Sequence, residues 1–241
     1  MSDEPLAPPQ PSLGDRAFSL VRLGLAAIPG TSAAAELLGF ISSPLDRRRD
    51  EWMRRVVAEL RRIENEQPQR LAELAESELF ASVCLQAAQA ALRAENAQKR
   101  QMLAMAVVTS ARGSDIEGDL QLTFVRYLDE LTATHVGILS VFADHEADLR
   151  QTGGYPQMLQ LLRQRSAIQC NEERFMLFCG DLSARLLLRL SPYLENFNDL
   201  IETPVITAEG PHEGAPLLAR VTDIGRSFLR FVGSGSTAQA I

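Results

Sequence analysis

AFSLVRLGLAAIPGTSAAAELLGFISSPLDRRRDEWMRRVVAELRR, residues 17–62, is the stretch whose reading decides the fold. Phe18, Val21, Leu25 and Ile28 follow Asp15 at helical spacing and predict a first short helix, which Pro29-Gly30 stops. Thr31 or Ser32 then caps a second helix through about Ile41, carrying Leu37, Leu38, Phe40 and Ile41. Each is about three turns long, so both need a surface to pack on. Ser43-Pro44-Leu45-Asp46 combines a cap, a proline at the first helical position and an acid for the N-terminal dipole, so a third helix is expected from there to near Glu66. Leu45, Trp52, Val56, Leu60 and Ile63 form its apolar stripe, and Arg47, Arg48, Arg54, Arg55, Arg61 and Arg62 lie mostly off it.

Working outward, the 241 residues suffice for one sizeable domain or two small ones, and 46% apolar content predicts a packed core. Lys99 is the sole lysine in a chain dominated by Ala and Leu, a bias toward good helix formers. Net charge is −7, and residues 117–241 hold 16 acids against 10 bases, the opposite sign from a nucleic-acid module. The start, MSDEPLAPPQPSLGDR, suits a disordered tail over 1–14, although Ala33-Ala34-Ala35 after an apolar run also fits a signal-peptide cleavage site. Arg22, Pro29-Gly30 and Glu36 interrupt the only apolar run, so a conventional single-pass anchor is not expected. Cys84, Cys170 and Cys179 lack CxxC spacing and read as reduced thiols in apolar helical contexts.

Beyond Pro68, helices are expected over about Arg70–Arg93, from Met102 to Arg112, over Asp119–His145 with a kink at 132–134, and over Met158–Ser166. Glu172–Cys179 and Leu182–Leu190 add two more, and Val205-Ile206-Thr207 with Leu217–Val221 predicts a small β-hairpin. Thr222-Asp223 caps a final helix containing Ile224, Phe228, Leu229 and Phe231. The expected fold is therefore mainly all-α: a helical bundle over 15–113, with the 17–41 apolar hairpin, then a winged-helix-like module over 118–233 with one β-hairpin and a disordered tail over 234–241.

IPGTSAAAELLGFISSPLDRRRDEW, LQAAQAALRAENAQKRQMLAMAV, LTATHVGIL and VTDIGRSFLRFV together resemble a pattern in uncharacterised bacterial all-helical proteins with an IPG/Ala-rich N-terminal hairpin. The resemblance implies a bacterial helical protein with a winged-helix-like end and brings no activity with it. More loosely, the N-terminal half is similar to membrane-active helical-bundle domains of cell-death effectors.

No GxSxG, P-loop or HExxH is present, so no catalytic residue, cofactor or metal is expected. The leading expectation is a non-enzymatic interaction protein acting through residues 17–62. It is expected in the cytoplasm, its partner a protein or a second copy, or an anionic membrane met peripherally at the inner membrane face, in a defence or toxin-like role. Phe18, Leu25, Ile28, Leu38 and Ile41 would supply apolar contact and Arg47, Arg48, Arg54 and Arg55 would meet headgroups. The same residues also suit two core helices and a solvated third. The alternative is a winged-helix DNA regulator reading through Arg185 and Arg189 on a 182–190 recognition helix, disfavoured by the acidic module; an enzyme without a recognisable motif is the second alternative. His135 reads as a buried, hydrogen-bonded residue, and His145 with Asp144, Glu146 and Asp148 as a solvated helix end.

Overall fold

The computed structural model describes residues 35–150, 152–191 and 218–234, with side chains from Arg47 onward except those of Pro68, Leu71, Ala72, Ser191 and Leu218. The fold is mainly α-helical, with a single small antiparallel strand pair among the described residues. The described residues form two compact units, one of residues 35–130 with 231–233 and one of the described residues from 131 to 230 with Ser234.

The first unit is a bundle of α1 (Ala35–Glu66), α2 (Pro68–Ala75), α3 (Glu78–Arg93), α4 (Ala97–Gly113) and α5 (Gly118–Glu130). Helix α1 buries the expected stripe: Trp52 is 1% exposed, Val56 0%, Leu60 3% and Ile63 2%. It packs on α3 and α4. Ala87, Ala88, Ala90 and Ala91 of α3 are buried together with Ala104, Ala106 and Ala111 of α4, so small side chains let these two helices approach closely. Phe124 of α5 meets Phe231, with ring centroids 5.8 Å apart. Helix ends are closed by side chains. The Ser77 hydroxyl accepts the Phe80 N–H at 3.2 Å and Asn96 Oδ1 accepts the Gln98 N–H at 2.7 Å. Arg100 donates to the Ala94 and Glu95 carbonyls at 3.0 and 2.9 Å, satisfying acceptors that the end of α3 leaves open.

Three boundaries differ from the sequence reading. A third helix does not begin at Ser43-Pro44, because α1 runs unbroken from Ala35. Proline already has a helical φ, so it fits at the cost of one hydrogen bond to the carbonyl four residues back. The expected 70–93 helix is instead split at Glu76-Ser77, where the Ser77 cap restarts it as α3. Helix α5, expected in a second module, packs on α3 and α4, and Gly113-Ser114 is a turn inside the bundle.

The second unit holds α6 (Ala133–Asp144), α7 (Glu146–Leu149), α8 (Tyr155–Arg165), α9 (Glu172–Ala184), strands β1 (Leu188–Ser191) and β2 (Leu218–Val221), and α10 (Asp223–Phe231) up to Arg230. Its core is aromatic: Phe175 makes edge contacts with Phe142 and with Tyr155, both at 6.1 Å between centroids. The strand β2 was expected; its partner was not. Leu188 pairs with Val221 and Ser191 with Leu218, so β1 comes from the segment read as the end of a 182–190 helix. Leu186 at φ 56°, a backbone state uncommon for leucine, turns the chain between α9 and β1. Val205–Thr207 lie outside the described residues. Thr222 joins hairpin to helix, accepting the Gly225 N–H at 2.9 Å while its own N–H meets the Leu187 carbonyl at 3.2 Å.

Candidate functional site

Because the apolar stripe of α1 faces the bundle, the helix must show its remaining side to water. Arg47, Arg54, Arg55, Arg61 and Arg62 are exposed and Arg48 is half-buried. Arg47, Arg54 and Arg61 are seven residues apart, which places them along one side of the helix at intervals of about 10 Å. Arg54 and Arg61 border a shallow depression of about 460 Å³ completed by Asp50, Met53, Val57 and Ala58.

Three carboxylates on this helix, Asp50, Glu51 and Glu59, are taken up by other arginines. Glu51 meets Arg55 at 3.3 Å and Arg100 at 3.3 Å, Glu59 meets Arg62 at 3.3 Å and Arg112 at 3.6 Å, and Asp50 meets Arg49 at 3.6 Å. Arg54 donates only to the Asp50 carbonyl, at 3.2 Å. Among the described residues Arg47, Arg48, Arg54 and Arg61 have no carboxylate within ion-pair distance. The result is a row of guanidiniums open to an external anion. Of the expected apolar contacts, Phe18, Leu25 and Ile28 lie outside the described residues, and Leu38 and Ile41 are placed only as backbone positions of α1.

The 182–190 recognition helix expected for the DNA-reading alternative is not formed. Arg185 ends α9, donating to the Asp181 carbonyl at 3.0 Å, and Arg189 sits in β1 opposite Arg220, so the two do not share a recognition helix. The run Leu186-Leu187-Leu188 explains the error, since a short apolar segment fits a buried strand as well as a helix.

The second unit contains an arrangement that the sequence did not reveal. Glu146 receives Arg150 at 2.9 Å, Arg226 at 2.9 Å and Arg220 at 3.7 Å, gathering α10 and β2 onto α7. Burial raises the Glu146 pKa, but hydrogen bonds from Arg150 and Arg226 and their charges outweigh it and hold the carboxyl below its ordinary range. Arg220 and Arg226 are more than seventy residues away in sequence, with no motif to mark them. His145 approaches Asp148 at 3.8 Å and Asp148 meets Arg165 at 2.9 Å, so this carboxylate is paired with an arginine; no metal-binding group of side chains occurs among the described residues.

Burial pushes the Cys84 thiol up, and it pushes Cys179 up to about 12, so neither is a ready nucleophile. No helix of the described residues is long and apolar enough to cross a membrane. No protein-family model, curated protein or solved structure matches the chain.

Proposed function

We propose that this is a helical interaction protein that docks through the arginine side of α1 on an anionic membrane surface, from the cytoplasmic side, in a bacterial defence or toxin-like role. The observation that carries the reading is the row Arg47, Arg54 and Arg61, exposed at seven-residue spacing with no carboxylate partner among the described residues. Each arginine near an anionic bilayer contributes about 1 kcal/mol of attraction. Three in a row supply a salt-sensitive contact of about 3 kcal/mol. The apolar segment 17–41 immediately precedes this row in the sequence and would add shallow hydrophobic contact, since one chain element rarely anchors a protein alone.

Co-sedimentation of the full chain with vesicles of phosphatidylcholine, with and without phosphatidylglycerol, tests the proposal. Binding is expected only to the anionic vesicles. It should weaken about 100-fold in Arg47→Ala/Arg54→Ala/Arg61→Ala and also in a variant lacking residues 1–42. Equal pelleting of the full chain and the triple variant, or of neither, overturns the reading.

A further inference from the structure

Thr132, His135 and Asp181 of the second unit form a relay that capping alone does not require. Thr132 is the N-cap of α6, and its backbone N–H donates to His135 Nδ1 at 3.1 Å. Its hydroxyl lies 2.8 Å from the same nitrogen. A backbone N–H only donates, so Nδ1 holds a lone pair and the neutral ring carries its proton on Nε2. The threonine hydroxyl therefore aims its proton at Nδ1. On the far side, Nε2 lies 3.2 Å from Asp181 Oδ2 and donates to it. Asp181 is steadied by Arg185, whose Nη1 is 3.9 Å from Oδ1. The imidazole is 5% exposed and wedged edge-on against Phe178 at 4.6 Å between centroids, which fixes its plane, whereas Thr132 is exposed.

A hydroxyl, an imidazole and a carboxylate stand here in the order and tautomer that activate an oxygen nucleophile. The first amides of α6, at Ala133 and Thr134, have no acceptor within the helix and sit at its positive end, beside the hydroxyl. These are the donors that an oxyanion formed at Thr132 would meet. A glutamine at position 135 would serve a capping box as well without supplying a base; the buried histidine backed by a carboxylate 46 residues away is the additional feature.

We propose that Thr132 is an activated nucleophile that accepts an acyl group from small, solvent-borne carboxylic esters. Thr132 Oγ1 bonds to the ester carbonyl carbon while its proton passes to His135 Nδ1, which gives up the hydrogen bond it accepted from the Thr132 backbone N–H, and Asp181 holds the resulting imidazolium. The tetrahedral oxyanion collapses, the carbon–oxygen bond to the leaving group breaks, and the alkoxide or phenolate departs with the proton from Nδ1. Water, deprotonated by the same nitrogen, then attacks the acyl-threonine, releasing the carboxylic acid and restoring Thr132. This inference does not depend on the α1 membrane proposal.

The test uses the full chain and p-nitrophenyl acetate, following p-nitrophenolate release and the mass of tryptic peptides. One acetyl group per chain is expected on the peptide containing Thr132. Release should be absent in Thr132→Val and faster in Thr132→Ser, whose primary hydroxyl is less hindered. In His135→Gln it should fall by about 100-fold or more. Asp181→Asn, which keeps the capping histidine, should also slow it and so separates the relay from helix integrity, checked by circular dichroism. Acetylation confined to other residues, or a Thr132 reaction unchanged in both His135→Gln and Asp181→Asn, overturns the proposal.

Discussion

Arginine serves opposite ends in α1 and around Glu146. On α1, Arg47, Arg54 and Arg61 are strung along one exposed side, and the nearby carboxylates are occupied by Arg49, Arg55, Arg62, Arg100 and Arg112. Around Glu146, Arg150, Arg220 and Arg226 arrive from three places in the chain and converge on one carboxylate that is 20% exposed. The contrast shows that arginine count says little; reach to a carboxylate decides. An isolated exposed charge leaves stability almost untouched and remains available to a ligand, whereas a shared, half-buried carboxylate fastens elements together.

The contrast is broken most severely beside the Glu146 cluster, at Gly225. A methyl group there would run into the Leu187 carbonyl, in the turn that leads into β1. Backbone cannot yield as a flexible side chain does, so Gly225→Ala is expected to destabilise the second unit by about 3 kcal/mol. Urea unfolding measures it, and a loss under about 1 kcal/mol would mean that α10 shifts freely, making the arginine cluster the main fastening.

Glu146→Ala comes next. It leaves three guanidiniums facing one another where a carboxylate had joined them, and a loss of about 2 kcal/mol is expected. The pH dependence has a definite sign. The folded pKa of Glu146 is depressed, so its contribution is complete above the ordinary glutamate value of about 4.3 and is lost as pH falls through the lower folded value. The stability gap between the native chain and Glu146→Gln should thus be constant from pH 7 to pH 5 and close below about pH 4. A gap that stays open in acid would assign the effect to packing instead of charge.

These two sites also mark how far the sequence could be read. Trp52, Val56, Leu60 and Ile63 were legible because burial against one neighbouring surface imposes a helical period on the residues themselves. Thr222 and Asp223 announced α10 for the same local reason. The split at Ser77 was missed because a serine cap leaves the apolar periodicity on either side intact. Strand β1 was missed because Leu186, not glycine or asparagine, takes the positive φ that ends α9, so no residue type punctuates the turn. The candidate sites divide likewise. The spacing of Arg47, Arg54 and Arg61 and the Thr132-x-x-His135 pattern are local and visible, while Asp181, Arg220 and Arg226 become partners only through the fold.

The smallest expected effect is the sharpest test of the contrast. Arg54→Ala and Arg61→Ala remove guanidiniums that make no carboxylate contact among the described residues, so each should change stability by less than about 0.5 kcal/mol. Their aliphatic stems cover little, since Val57 between them is only half-buried and Ala58 is exposed. Raising the salt concentration should leave the midpoint of urea unfolding for Arg54→Ala level with that of the native chain, because there is no ion pair to screen. If either substitution costs more than about 1 kcal/mol, the guanidinium is held by the fold, and the row on α1 belongs with the Glu146 cluster as fastening. If both are neutral while anionic vesicle binding falls, the same charges that contribute nothing to folding are the ones that make the contact.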